Sequence, residues 1–178
     1  MAASQGTVVA LVGGESPELI AQLGALRNVD AFTVADGDGD ESEAARRISR
    51  SHASYVISDS DPLAHVAAAW VEFFDDRVTL ETLLYEAEAA ADALRAGRTQ
   101  LPDYYLVLDP AAVEGTWRHW WFGALSSKAP TRVLPVPSST GEVRRQLRRL
   151  PTGRPWPTEF ATWLTRLHFE VPDRLTLE

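Results

Sequence analysis

The sequence contains no cysteine, which excludes disulfide bonds, thiolate metal sites and cysteine nucleophiles together. Lysine occurs once, at Lys128, so every cationic side chain before that position is an arginine or a histidine. Long apolar runs are also lacking, because the stretch from Val8 to Val12 is far too short to span a membrane and no positive charge precedes it. We therefore expect an unsecreted, cytoplasmic protein without a membrane anchor.

The net charge of −8 is distributed unevenly along the 178 residues. Residues 1–110 hold 19 acidic and 7 basic side chains, giving −12, whereas residues 111–178 hold 6 and 10, giving +4. An acidic chain lacks the concentrated basic face that neutralises phosphates, so the composition disfavours nucleic acid as a partner. The length suffices for one stable core, and we expect a single domain over residues 1–178.

Short β-branched runs alternate with helical segments along the chain. The predicted strands span residues 7–12, 31–35, 53–58, 104–108 and 132–136. The predicted helices span about residues 16–26, 41–51, 63–74, 79–96, 111–127, 140–150 and 158–168. Strands separated by helices pair in parallel through right-handed crossovers. The sequence thus predicts an α/β three-layer sandwich around a mostly parallel five-stranded sheet, Rossmann-like or P-loop-like, with its core in residues 7–150 and a C-terminal helix and tail in 151–178.

A glycine pair follows the first predicted strand, at the end of the sheet where α/β folds bind ligands. Gly13, Gly14 and Ser16 place backbone N–H groups at the start of a helix, which makes them a candidate nucleotide-phosphate site. A phosphate loop has the spacing G-x-x-x-x-G-K-[S/T], and its lysine contacts the transferred phosphoryl group. This chain has no lysine before Lys128, so a tight strand–helix turn explains the glycines better than a phosphate loop does.

The order of elements over residues 7–150 resembles that of the P-loop nucleotide kinases, and thymidylate kinase-like enzymes are the most similar. The resemblance rests on the first strand with its Gly-Gly turn, on Tyr55-Val-Ile-Ser-Asp59, and on Leu101-Pro-Asp-Tyr-Tyr-Leu-Val-Leu-Asp109. The last segment is similar to the kinases' Pro-Asp, apolar strand and Asp. The resemblance implies a nucleotide as an alternative ligand. The absent lysine, and a lid region with Arg118 in place of an arginine cluster, imply that activity has been lost.

A second resemblance is to the Toprim domains of primases, topoisomerases and nucleases. It rests on Leu11-Val-Gly-Gly-Glu-Ser16 and on Ile57-Ser-Asp-Ser-Asp-Pro62. That family pairs a strand-end glutamate with Asp-x-Asp to hold Mg²⁺, which implies Asp59 and Asp61 as metal ligands. At the family's glutamate position this chain has Gly13. An Asp-x-Asp before proline also commonly caps the next helix.

The C-terminal third is rich in tryptophan and arginine, the residues most enriched in interface hot spots. Arg144, Arg145, Arg148 and Arg149 are spaced to form one basic stripe on a helix. Tryptophans at helical spacing also fill cores, and aromatics interleaved with arginine also stack single-stranded bases. The predicted partner interface consists of Trp117, Arg118, Trp120, Trp121, Arg145 and Arg149.

These observations leave two functions. The preferred one is a non-catalytic α/β module that needs no cofactor and binds a protein partner or a second copy through its Trp/Arg-rich C-terminal third. The alternative is an Mg²⁺-dependent, Toprim-like enzyme for phosphoesters or nucleotides, with Asp59, Asp61 and Asp109 as the metal ligands. A receiver-like or flavodoxin-like regulatory domain shares the topology, but it would need an acidic pair after the first strand and a lysine after the last, and neither is present.

Overall fold

The computed structural model describes residues 6–14, 17–34, 41–151 and 156–172. Its strands form one all-parallel sheet in the order β2-β3-β1-β4-β5. The strands are β1 (Thr7–Val12), β2 (Val29–Phe32), β3 (Tyr55–Ser58), β4 (Tyr104–Leu108) and β5 (Val133–Val136). The predicted α/β fold with a parallel five-stranded sheet is therefore confirmed, and β2 and β5 are the edge strands.

Helices connect these strands and follow the last one. They are α1 (Pro17–Gly24), α2 (Glu41–Arg50), α3 (Ala64–Phe74), α4 (Leu80–Arg95), α5 (Gly115–His119), a π-helix (Trp120–Leu125), α6 (Ser126–Lys128), α7 (Thr140–Leu147), α8 (Phe160–Leu164) and a 3₁₀ turn (Leu167–Phe169). None of the described helices combines the length and the apolar character that crossing a bilayer requires.

Most element bounds agree with the sequence prediction, but β2 lies earlier in the chain than expected. Asn28 adopts a positive φ of 64°, and the Val29 N–H donates to the Leu26 carbonyl at 3.3 Å. This turn brings the chain into the sheet at Val29. The last predicted helix is also shorter, because it ends at Leu164 and resumes only as the 3₁₀ turn.

Alternate side chains of β1 enter opposite layers, as expected for a strand buried on both faces. Val9 and Leu11 belong to a buried cluster with residues of α1 and α7. Ala10 and Val12 belong to another with α3, α4, the helix over residues 115–128 and the C-terminal segment. The sheet is thus the middle of three layers.

β1 is the central strand and marks a change in the direction of the connections. The chain leaves β1 into the layer of α1, whereas its neighbours β3 and β4 lead into α3 and α5 of the other layer. Ligands of α/β sheets bind outside the carboxyl ends of the strands at such a point. The strand order also differs from the 2-1-3-4-5 order of flavodoxin-like folds, so the regulatory-domain alternative does not fit.

Candidate functional site

The turn after β1 owes its glycine to packing. Gly13 has a φ of +87°, and a Cβ at this position would lie 3.0 Å from Val107 Cγ1 on β4. Both Gly13 and Gly14 are exposed at the carboxyl end of β1, while Ser16 lies outside the described residues. The requirement for glycine therefore follows from the close approach of β4 and needs no ligand to explain it.

Asp59 and Asp61, at the end of β3, hold neighbouring loops. Asp59 Oδ1 accepts a hydrogen bond from the Val34 N–H at 2.8 Å, which ties the segment after β2 to β3. Asp61 Oδ1 accepts from the Leu63 N–H at 2.9 Å and from the Tyr105 hydroxyl at 3.0 Å. Burial, and then the Asp61 charge, raise the pKa of Tyr105 well above its ordinary value, so the phenol keeps its proton and donates to Asp61.

Asp109 closes the same rim after β4, with a φ of 42°. Its N–H donates to the Val136 carbonyl at 2.9 Å, and its Oδ1 accepts from the Ser138 N–H at 2.7 Å. Among the described residues, no three histidine, aspartate or glutamate side chains are grouped so that they could hold a metal ion. Asp59, Asp61 and Asp109 are therefore not brought together as a metal centre in this part of the chain, and each one fixes a loop.

The start of β4 brings a partly buried aspartate and a buried arginine close together at the other end of the sheet. Asp103 Oδ2 accepts from the Val8 N–H at 2.8 Å, and the Asp103 carbonyl accepts from Arg132 Nη1 at 3.1 Å. The Arg132 guanidinium also lies 4.9 Å from the centre of the Trp156 ring. Burial raises the pKa of the Asp103 carboxyl, although the Val8 N–H and Arg132 act in the opposite direction.

The tryptophan-rich segment forms a continuous helix over residues 115–128 whose middle is the π-helix. Trp120 and Trp121 are buried, with 0% and 3% exposure. Trp120 packs between Trp70 and Trp163, at ring-centroid distances of 5.6 and 6.4 Å. Trp121 packs against a Tyr105 ring at 5.5 Å. The partner interface predicted at Trp120 and Trp121 is corrected accordingly, because both indoles fill the core of this chain.

Residues on either side of that core complete the same cluster. Trp117 is half-buried against it. Arg118 Nη2 donates to the carbonyls of Ala111 and Val113, at 3.2 and 3.3 Å, so this predicted interface arginine holds the loop after β4. In the C-terminal segment, Trp156 Nε1 donates to the Pro102 carbonyl at 2.9 Å. Most aromatic residues of the C-terminal third thus pack in or against the core of this chain.

Exposed arginines collect where the strands begin. Tyr55 and Tyr104, the first residues of β3 and β4, donate their hydroxyls to the carbonyls of Leu147 (3.0 Å) and Pro151 (2.8 Å). The chain between these carbonyls therefore lies at the amino ends of the strands, the end at which α2 also finishes and β2 begins. We call the following exposed residues the basic end: Arg27, Arg46, Arg47, Arg50, Arg148 and Arg149.

Most arginines of the basic end form no ion pair within the part of the chain that the structure describes. Arg47 pairs with Asp30 at 3.0 Å. Within the described ranges, four arginines of the basic end form no ion pair: Arg27, Arg50, Arg148 and Arg149. Arg145 is also a predicted interface residue. It lies on α7, is exposed, and forms an ion pair with Glu142.

The arginines of α2 do not stand out as a binding feature in the sequence, because they lie in the acidic part of the chain. Their spacing is nevertheless a usable signal. Arg46, Arg47 and Arg50 recur at i, i+1 and i+4, as Arg144, Arg145 and Arg148 do on α7. The crossovers of the sheet then bring the ends of both helices to the same side.

In a comparison with known proteins, no family model, curated protein or solved structure matches this chain.

Proposed function

We propose that this chain is a non-catalytic α/β module that acts by binding an acidic segment of a protein partner through its basic end. The observation that carries the proposal is that four exposed arginines at the amino ends of the strands form no ion pair within the described ranges: Arg27, Arg50, Arg148 and Arg149. Guanidinium groups form directional, often bidentate hydrogen bonds with carboxylates. Because the whole chain carries a net charge of −8, an acidic partner is attracted to this end and repelled elsewhere.

We also propose that this chain is related to the nucleotide kinases and has lost their phosphoryl-transfer activity. The exposed turn at Gly13 and Gly14 has no lysine to neutralise a phosphoryl group, since the chain's single lysine is Lys128. On the described part of the rim, Asp59, Asp61 and Asp109 already hold loops.

Thermal unfolding with Mg²⁺ and a panel of nucleotides tests this part of the proposal. A ligand that binds only the folded chain raises the unfolding midpoint, and we expect no rise. A rise that Asp59→Asn abolishes would instead establish the Mg²⁺-dependent alternative.

A protein segment fits the basic end better than nucleic acid does. Binding of single-stranded nucleic acid combines a basic groove with exposed aromatic rings on which bases stack. Among the described tryptophan, tyrosine and phenylalanine residues, the exposed side chains are Tyr85 and Phe169, and neither belongs to the basic end. The tryptophans that would have supplied the rings are buried or half-buried.

Binding of a fluorescent, all-glutamate peptide of about eight residues tests the basic end at about 50 mM salt, where screening is weak. We expect Arg148→Glu/Arg149→Glu to weaken binding by about tenfold or more. The control is Arg98→Glu/Arg166→Glu, which changes the net charge equally at exposed positions outside the basic end. Equal loss of peptide binding in both variants would mean that net charge alone determines binding. No binding of the peptide by the unaltered chain would refute the proposal.

A further inference from the structure

The two edges of the sheet differ in what they offer to another strand. At β5, the Tyr105 N–H donates to the Arg132 carbonyl at 2.7 Å, so Arg132 faces β4 while Val133 and Pro135 face outward. Proline has no N–H to donate, and prolines on edge strands prevent further pairing. Pro135 therefore blocks this edge.

At β2 the outward positions carry no proline. The Tyr55 N–H donates to the Asn28 carbonyl at 3.2 Å, and the register pairs Val29 with Tyr55. In a parallel ladder this directs Val29, Ala31 and Thr33 away from β3. Within the part of the chain that the structure describes, no hydrogen bond reaches the outward N–H of Ala31 or Thr33. β2 thus has donors and acceptors ready for a sixth strand.

The end of α1 lies beside this edge. Gly24 approaches β2 closely, since a Cβ at that position would lie 3.6 Å from the Ala31 carbonyl oxygen and 3.8 Å from the Ala31 Cβ.

A groove of about 520 Å³ runs beside β2. It is lined by Asp30, Glu43, Arg46, Arg47, Arg50 and Ser51. Arg47 pairs with Asp30 at 3.0 Å and lies 4.3 Å from the centre of the Phe32 ring, so its position is set by the strand itself. Three arginines against two carboxylates leave the lining positive. The groove belongs to the basic end and adjoins the open edge.

We propose that β2 accepts an extended segment of the partner as an added strand, and that carboxylates at alternate positions of this segment bind the arginines of the groove. The inference rests on the proposed function and specifies how its partner is recognised. In strand addition, main-chain hydrogen bonds supply affinity and side chains of period two supply specificity. A second copy of this chain is a poorer occupant, because two β2 edges related by a two-fold axis would bring their arginine groups together.

The test uses a peptide of about eight residues with alternating Glu and Val, followed by amide hydrogen exchange. We expect the peptide to slow exchange of the Ala31 and Thr33 amides about tenfold or more, because they become hydrogen-bonded. The amides of Asp30 and Phe32, which face β3, serve as internal controls and change little. Exchange at Ala31 and Thr33 that stays unchanged while the peptide is bound would overturn strand addition.

Two sets of substitutions separate the contribution of the β2 edge to peptide binding from that of the arginine charge. Ala31→Pro removes the outward N–H at a position where an edge strand tolerates proline. Arg46→Glu/Arg50→Glu reverses the charge of the groove. Each variant should bind the peptide about tenfold or more weakly. If Ala31→Pro does not fold, a peptide N-methylated at alternate residues carries the same test from the partner's side. Full binding of that peptide would overturn the inference.

The outcomes distinguish this inference from the proposed function. Loss of peptide binding in Arg148→Glu/Arg149→Glu without any effect of Ala31→Pro would leave the basic end as the binding site and reject the added strand. Absence of binding by any acidic peptide would reject both. A peptide-free dimer, seen by light scattering and dispersed by Ala31→Pro, would assign the edge to a second copy and overturn the inference.

Discussion

Trp70 and Trp120 form a matched pair for measuring the cost of an unpaired indole N–H. Both are buried, at 1% and 0% exposure, and their ring centroids lie 5.6 Å apart. Trp70 Nε1 donates to the Leu167 carbonyl at 3.2 Å, whereas Trp120 Nε1 has no partner among the described residues. Replacing either by phenylalanine removes a similar volume from one cluster, so the cavity terms nearly cancel when the two are compared.

The remaining difference comes from hydrogen bonding. Trp70→Phe loses a buried hydrogen bond worth about 1 kcal/mol, and the Leu167 carbonyl stays paired because it also accepts from the Glu170 N–H at 3.0 Å. Trp120→Phe instead removes a buried, unpaired donor whose presence costs about 1–3 kcal/mol. We therefore expect the free energy of unfolding of Trp70→Phe to lie about 2 kcal/mol or more below that of Trp120→Phe.

Urea unfolding followed by far-ultraviolet circular dichroism gives both free energies by linear extrapolation. Trp120→Ala serves as a reference, and it should cost about 3–5 kcal/mol because it opens a cavity in the core. Equal destabilisation by the two phenylalanine substitutions would contradict the cost assigned to the Trp120 N–H. If Trp120→Ala left the stability unchanged but abolished an oligomer, Trp120 would be an interface residue and not part of the core.

Three further predictions concern the sheet and its turns. Because burial raises the folded-state pKa of Asp103, its contribution to stability is greatest below the ordinary carboxyl pKa and is lost as pH rises through the raised value. Urea unfolding across that window should therefore show the free energy of unfolding of the unaltered chain falling relative to Asp103→Asn, and a rise would contradict the assignment. Gly13→Ala should cost about 1–3 kcal/mol through its positive φ and the contact with Val107, and a stability equal to that of the unaltered chain would refute this strain. Tyr105→Phe should cost about 1–2 kcal/mol, since the Asp61 carboxylate loses a buried donor, and a stabilised variant would show that this bond is not needed.

Local composition predicted the sheet well where a strand is buried on both faces. β1 and β4 have the bounds expected from their continuous apolar runs. Such runs need no information from the rest of the chain, because every side chain is apolar whichever layer covers it. β2 is a half-buried edge strand, and its start is set by the turn at Asn28, which carries no strong sequence signal.

The candidate site divides in the same way. The glycine turn, the rim aspartates and the arginine stripe were all visible as residue types at suggestive spacings. Periodicity shows which face of a helix is apolar but not what covers that face, so it did not distinguish a tryptophan interface from a tryptophan core. The structure decides this by packing the C-terminal segment of residues 156–172 over the π-helix.

The sequence by itself determined the class of fold, the parallel sheet and the missing lysine at the glycine turn, since these follow from local segments and their order along the chain. Tertiary structure alone decided that Trp120 and Trp121 are interior and that Asp59, Asp61 and Asp109 hold separate loops. It also brought the arginines of α2 and those that directly follow α7 to one end. These outcomes depend on strand order and on the paths of the crossovers, which place residues distant in sequence side by side.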